Sequence, residues 1–403
     1  METPPRPPQS PMAVAASLKE LPPPDALAQA HSEALSEVIR TEIAAHGGAI
    51  PFARFMQLAL YAPGLGYYSA GSRKFGEGGD FTTAPELSPL FSRCLARQCA
   101  QVLESLGHGD ILEFGAGTGS MASAILAELA ALGSLPQHYY ILELSADLRE
   151  RQQQAIQAQV PQLAARVVWL DALPEKLRGV VLANEVIDAM PVERFRITHE
   201  GVEVIQVAWV EGQFVERSAP ADAVLSAAVN QLREEVGLAE GYASEINLLA
   251  AEWVHSLGEC LEAGVALLID YGFPRREYYH PQRFEGTLMC HYRHRAHTDP
   301  LILPGLQDIT AHVDFTAVGE AALAAGLQVL GFANQANFLL ASGLLELAAE
   351  AGEAPRQQLA VAAQVKRLTL PGEMGEIFKV MALGRGMDTP LRGFMLRDER
   401  GRL

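Results

Sequence analysis

The chain has 403 residues, 49% of them apolar, enough for a sizeable core built as one large domain with insertions or as two domains. Its 48 acids against 31 Lys and Arg give a net charge of −17, which argues against a nucleic-acid partner and suits either simple solubility or a cationic ligand. The four cysteines (Cys94, Cys99, Cys260, Cys290) lack C-x-x-C spacing and no apolar run reaches about 18 residues, so neither a disulfide framework nor a membrane span is expected.

Residues 1–24 are Pro-rich. They lack both the charged-then-apolar pattern of a signal peptide and the Arg-rich pattern of a mitochondrial leader, and they read as a disordered tail of a cytoplasmic protein. An N-terminal extension over 25–106 holds helical patterns at 25–46 and 51–61, then a Gly- and Tyr-rich loop expected over 62–85. An amphipathic helix follows over 88–106. The first part of a core, 107–192, alternates regularly: strand 110–114, helix 119–132, strand 138–143, helix 146–159, strands 166–169 and 179–183. Such alternation builds a parallel sheet covered on both faces. Past Pro191, residues 193–217 read as an antiparallel meander with turns at Glu200-Gly201 and Glu211-Gly212. Helices over 221–236 and 244–262 complete an insertion spanning 193–263. The core resumes over 264–385, with a strand at 265–270 and a long loop, 272–312, rich in aromatics, His and Arg. Helix 314–325, strand 327–331, helices to 368 and a last strand at 376–383 complete it. Residues 386–403 read as a C-terminal tail.

The chemistry concentrates at strand ends. The strand at 110–114 carries Glu113 and runs into Gly115, Gly117 and Gly119, ahead of an apolar helix. Glycines there admit a ligand close to the backbone, and the helix start offers free N–H groups. A dinucleotide loop needs its third glycine three residues after the second, where this chain has Ser120. Glu143 ends the next strand, placed to accept hydrogen bonds from ribose hydroxyls. Asp171 follows the third, where an acid meets an adenine amino group or is an ordinary loop acid. Asn184 follows the fourth, with Glu185 and Asp188 three apart on one face of a turn; acids also favour helix starts on electrostatic grounds alone. His291, His294 and His297 repeat every third residue, but interleaved Arg293 and Arg295 and the lack of a carboxylate at motif spacing disfavour a metal, and none is expected. Asp308 and Thr310 suit helix capping. His312 and Asp314 are candidates to orient a substrate group.

Together, the segments 79–88, 113–119, 184–192, 270–272, 307–315 and 371–380 resemble the MidA-like S-adenosylmethionine-dependent methyltransferases, over about residues 30–385. That family includes a mitochondrial arginine methyltransferase acting in respiratory complex I assembly. The resemblance implies an α/β class I (Rossmann-like) fold with a mostly parallel seven-stranded sheet. It implies S-adenosylmethionine as cofactor, held by Glu113, Gly115, Gly117, Gly119, Glu143, Asp171 and Asn184. Asp80, Thr83 and Glu86 lie on a loop facing cofactor or substrate. The acceptor implied is an exposed arginine of a partner protein, such as a complex I subunit or its bacterial counterpart. A guanidinium is a weak nucleophile with a delocalised lone pair, so paired carboxylates suit it as a clamp. Glu185 and Asp188 are the candidates, with His312 or Asp314 to take the released proton. Two other readings stand beside this one: a cofactor-binding assembly factor with little turnover, and a small-molecule methyltransferase. A homodimer is compatible with all three.

Overall fold

The computed structural model describes residues 21–70, 83–350 and 354–403. Asp80 and residues 1–20 of the Pro-rich segment lie outside that range. Helices Ala26–Ala45 and Phe52–Tyr61 flank β1 (Ala49–Pro51). Asp25 starts the first helix by accepting the amides of Leu27 and Ala28 at 3.1 and 2.9 Å. Helix Pro89–Leu106 is set up the same way: Ser88 caps it, proline opens it, and left-handed Gly107 stops it.

The core strands follow: β2 (Asp110–Phe114), β3 (Tyr139–Leu142), β4 (Val167–Leu170) and β5 (Leu177–Asn184), linked through helices Ser120–Leu132 and Ala146–Gln159. Next come β6 (Glu193–Thr198), β7 (Gly201–Val210), β8 (Gln213–Pro220) and β9 (Ala243–Ile246), then β10 (Leu261–Phe273). Three short strands, β11 (Met289–Tyr292), β12 (Arg295–His297) and β13 (Asp308–Thr310), precede β14 (Val313–Asp314), β15 (Gln328–Asn334) and β16 (Phe378–Arg385).

The main sheet runs β15-β16-β10-β5-β2-β3-β4, with β14 alongside β10. Neighbours from β10 to β4 are parallel; β16 is antiparallel to both β10 and β15. This is the seven-stranded class I arrangement. Residues 180–183 and 265–269 are buried throughout, because both sheet faces are covered. Helices Pro89–Leu106 and Ser120–Leu132 pack on one face, and helices Leu249–Cys260 and Phe315–Ala324 on the other. Strand order reverses between β2 and β5, which opens a crevice at their carboxyl ends.

Three segments differ from the sequence reading. Residues 243–246, expected as helix, form β9 on the edge of β6, with Glu193 opposite Ile246. Four residues with two polar ones buried at the centre carry no period-two signal against the helical pattern beside them. The long loop 272–312 contains the three-stranded sheet β12-β11-β13, whose strands of three or four residues leave little periodicity to read. The expected C-terminal tail packs on the core: Phe394 lies 5.4 Å from Phe338, and the Glu399 amide donates to the Phe332 carbonyl at 2.6 Å. The inserted sheet is β1-β7-β6-β9 with β8 on β7, so the N-terminal extension supplies one of its strands.

Candidate active site

β2 delivers Glu113 fully buried, where Tyr139 donates to its Oε2 at 2.6 Å. Burial, opposed by that bond, pushes the Glu113 carboxyl up to about 7. The loop after β2 turns through Gly115, Gly117 and Gly119 at φ of +59°, +52° and +82°. A side chain is doubly disfavoured at Gly119, since a Cβ there would also lie 3.1 Å from Gln152 Cα. Gly119 then opens helix Ser120–Leu132 toward the crevice.

At the end of β3, Glu143 is held by two donors: the Ser145 amide at 2.9 Å and Gln152 Nε2 at 3.0 Å. Gln152 Nε2 also reaches the Gly117 carbonyl at 3.1 Å, and Trp169 Nε1 donates to Gln152 Oε1 at 2.9 Å. One buried amide therefore ties the glycine loop, the β3 acid and β4 together. Burial raises the Glu143 carboxyl despite those bonds.

β5 ends in Asn184, whose Nδ2 donates to Glu185 Oε1 at 3.1 Å. Glu185 sits at φ +54°, a conformation rare for a side-chain-bearing residue, and its amide donates to the Ile269 carbonyl at 2.8 Å. Burial, then the charges of Asp188, Asp308 and Glu86, push its carboxyl up to about 8. Asp188 is buried, and burial raises its carboxyl while a Tyr271 hydrogen bond opposes the shift. Behind them Asp270 holds the turn, accepting the amides of Ile187 and Asp188 at 3.0 and 3.3 Å. Its own carboxyl lies well above the usual range through burial and the neighbouring acids.

The opposite wall comes from distant parts of the chain. Tyr61 and Tyr68 stack at 5.5 Å; Tyr61 donates to the Ala189 carbonyl at 2.9 Å, and Tyr68 to Asp308 Oδ1 at 2.9 Å. The small sheet contributes His291 and Asp308, and the segment before β16 contributes Arg367 and Met374. The walls enclose a cavity of about 450 Å³ lined by the glycine loop, by acids and by tyrosines.

The candidates named from sequence divide clearly. Glu113, Gly115, Gly117, Glu143, Asn184, Glu185, Asp188, Thr83 and Glu86 line this cavity. Gly119 is not on its wall and contributes by starting the helix. Asp171 does not line the cavity: its side chain is 91% exposed and pairs with Arg149 at 2.7 Å just beyond β4. His312 and Asp314, the candidate proton acceptors, do not line it either. The His312 ring stacks on Phe273 at 5.3 Å and meets Tyr271 edge-on, and burial holds it down at about 4. Asp314 caps helix Phe315–Ala324, accepting the Thr316 amide at 3.0 Å, and takes Arg275 Nε at 3.2 Å. Sequence reading missed Tyr61, Tyr68, Tyr271, His291 and Arg367 as wall residues, and gave Asp308 only a capping role. Among the described residues no group of three His, Cys, Asp or Glu is placed to hold a metal.

The donor set fits a nucleoside bearing a cationic tail. The Glu143 carboxylate faces the cavity, the glycine loop leaves room beside the backbone, and Glu86 Oε2, Asn184 Oδ1 and Asp188 Oδ1 are buried acceptors without a partner among the described residues. Known proteins point the same way. The model of a family described as "Putative S-adenosyl-L-methionine-dependent methyltransferase" matches residues 94–333. The chain is 30% identical to the mitochondrial protein arginine methyltransferase NDUFAF7 of Mus musculus, over 83% of this chain and 81% of that protein. It is 28% identical to the mitochondrial NDUFAF7 homolog of Drosophila melanogaster, over 92% and 89%. A Burkholderia thailandensis protein crystallised with S-adenosyl-homocysteine bound superposes with a TM-score of 0.91 at 48% identity, covering 95% of this chain and 100% of that one.

Proposed function

The chain belongs to the S-adenosyl-L-methionine-dependent methyltransferase family whose model matches residues 94–333, and from that premise we propose that it methylates an arginine side chain of a partner protein. S-adenosylmethionine, when bound, supplies a methyl group already activated on a sulfonium, so alignment and charge management are the work left to the protein. In this reading Glu143 accepts hydrogen bonds from the ribose hydroxyls, the 115–119 loop borders the nucleoside, and Asn184 lines the same cavity.

One observation carries the arginine assignment. The cavity wall presents three carboxylates, Glu185, Asp188 and Asp308, together with Tyr61 and Tyr68, whose rings stack on each other. A planar guanidinium matches carboxylate forks and aromatic faces together. The carboxylates hold the group, and their charge stabilises the positive charge left on it as one nitrogen attacks. That nitrogen forms its bond to the methyl carbon as the carbon–sulfur bond breaks, and its proton passes to Glu185 or Asp188, which the positive charge of the bound guanidinium has first ionised against the upward push of burial. The names of the mouse and fly relatives support the same acceptor class.

Action in the cytoplasm belongs to this proposal; among the described residues no helix is long and apolar enough to cross a membrane. The test is transfer of tritiated methyl groups from S-adenosylmethionine into lysate proteins, followed by amino-acid analysis. The proposal expects label in protein as methylarginine, with peptides of a respiratory complex I subunit or its bacterial counterpart as the first defined acceptors to try. A binding-only assembly factor would label nothing, and a small-molecule enzyme would label only the low-mass fraction.

A further inference from the structure

We propose that Arg367 and Glu86 form a subsite for the amino-acid end of the cofactor, Arg367 taking its carboxylate and Glu86 its ammonium group. The subsite rests on S-adenosylmethionine binding and not on the arginine-acceptor reading.

The charge pattern of the cavity favours such a device. Six carboxylates line it: Glu86, Glu113, Glu143, Glu185, Asp188 and Asp308. They favour the sulfonium and the ammonium of the cofactor but repel its carboxylate. Among the described lining residues Arg367 is the one Lys or Arg that can offset this. Its guanidinium offers a planar fork of donors for two carboxylate oxygens.

The backbone brings Arg367 and Glu86 to the same rim. Arg367 lies in the last turn of helix Pro355–Thr369. One turn earlier, Gln364 Oε1 accepts a hydrogen bond from Ser88 Oγ at 2.8 Å, and Ser88 terminates the short helix Ala84–Leu87 that carries Glu86. Next to Arg367, Leu368 is fully buried and its carbonyl accepts Gln335 Nε2 at 3.0 Å, which fixes the helix end. Glu86 in turn is held by a hydrogen bond from Thr118 in the glycine loop, while its Oε2 is buried without a partner among the described residues. Glu86 and Arg367 form no ion pair with each other, so the two opposite charges face a common space. A zwitterion bridges that space; a lone cation or anion would satisfy one side only.

A cation in the last turn of a helix also serves the helix dipole. Lys366 shares that turn and does not line the cavity, so it separates the two roles. The test is calorimetric binding of two ligands, S-adenosyl-homocysteine and 5′-methylthioadenosine, which lacks the amino-acid end. Arg367→Met is expected to weaken S-adenosyl-homocysteine about tenfold and to leave 5′-methylthioadenosine unchanged. Glu86→Gln is expected to show the same selectivity with a smaller loss, and Lys366→Met to bind both ligands as the wild type does. Unchanged S-adenosyl-homocysteine binding by Arg367→Met, equal loss of both ligands, or the same loss in Lys366→Met would overturn the proposal. No acceptor enters the assay, so a wrong acceptor assignment cannot produce any of these results, and retained 5′-methylthioadenosine binding certifies the fold of each variant.

Discussion

Replacing Glu185 by Gln separates the stability of the site from its chemistry. The Glu185 carboxyl is pushed from 4.5 up to about 8 by burial first and then by Asp188, Asp308 and Glu86, with Asn184 opposing. Because the folded-state value lies above the unfolded one, the neutral carboxyl confers stability that is complete below about pH 4.5 and is lost as pH rises through about 8. At about 1.36 kcal/mol per unit, the full shift corresponds to a loss of about 5 kcal/mol. Glu185 keeps partial exposure to the cavity, and solvent screening brings the expected figure to about 2 kcal/mol. Gln has the same shape and no charge at any pH. The ligand-free Glu185→Gln variant should therefore match the wild type below about pH 4 and exceed it by about 2 kcal/mol near about pH 8.5. Urea denaturation at a series of pH values reads this directly. On the proposed arginine acceptor, the same variant should lose methyl transfer, because the guanidinium would lose one of its carboxylates. A pH-independent stability difference would refute the electrostatic reasoning, and full transfer with unchanged kinetics would refute the clamp.

Other outcomes follow from the same contacts. Glu143→Ala should weaken S-adenosyl-homocysteine binding about tenfold or more by calorimetry, since the ribose hydroxyls lose a charged acceptor. Asp171→Asn should leave that affinity unchanged, because the exposed side chain reaches only Arg149. Phe394→Ala should cost about 3–5 kcal/mol in thermal or urea unfolding, as expected for removing a buried ring, here one packed on Phe338; a shift under about 1 kcal/mol would mean that the C-terminal segment is dispensable to the core.

The legible part of the site was the part whose cause is local. Gly115, Gly117 and Gly119 announce a backbone turn, and Glu143 and Asn184 announce strand ends, because one short segment dictates each. The unread part depends on sheet closure. Tyr68 meets Asp308 across 240 residues of sequence and Tyr61 meets Ala189 across 128, and no local pattern encodes such meetings. The Gly-Tyr-rich character of the 62–70 segment was the available signal for Tyr68, and the length of 272–312 was the signal for His291 and Asp308. Asp171 follows β4 as the strand-and-acid order implies, and the direction in which the chain leaves β4, set by tertiary packing, turns the side chain outward to Arg149. His312 and Asp314 were read for their chemistry, and the fold uses them for ring packing and for capping. The fold itself was legible because alternating strands and helices admit few arrangements, whereas β9 and the β12-β11-β13 sheet lie below the length at which periodicity speaks.

The central proposal is that the carboxylates following β5 hold an arginine side chain for methyl transfer from S-adenosylmethionine. It is tested most directly by capturing partner proteins with S-adenosylmethionine present and sequencing them by tandem mass spectrometry, with wild type and Glu185→Gln in parallel. The account predicts methylated arginine in a partner captured by the wild type and unmodified arginine at the same position with the variant. A captured partner bearing no mark, or a mark on another side chain, would contradict it.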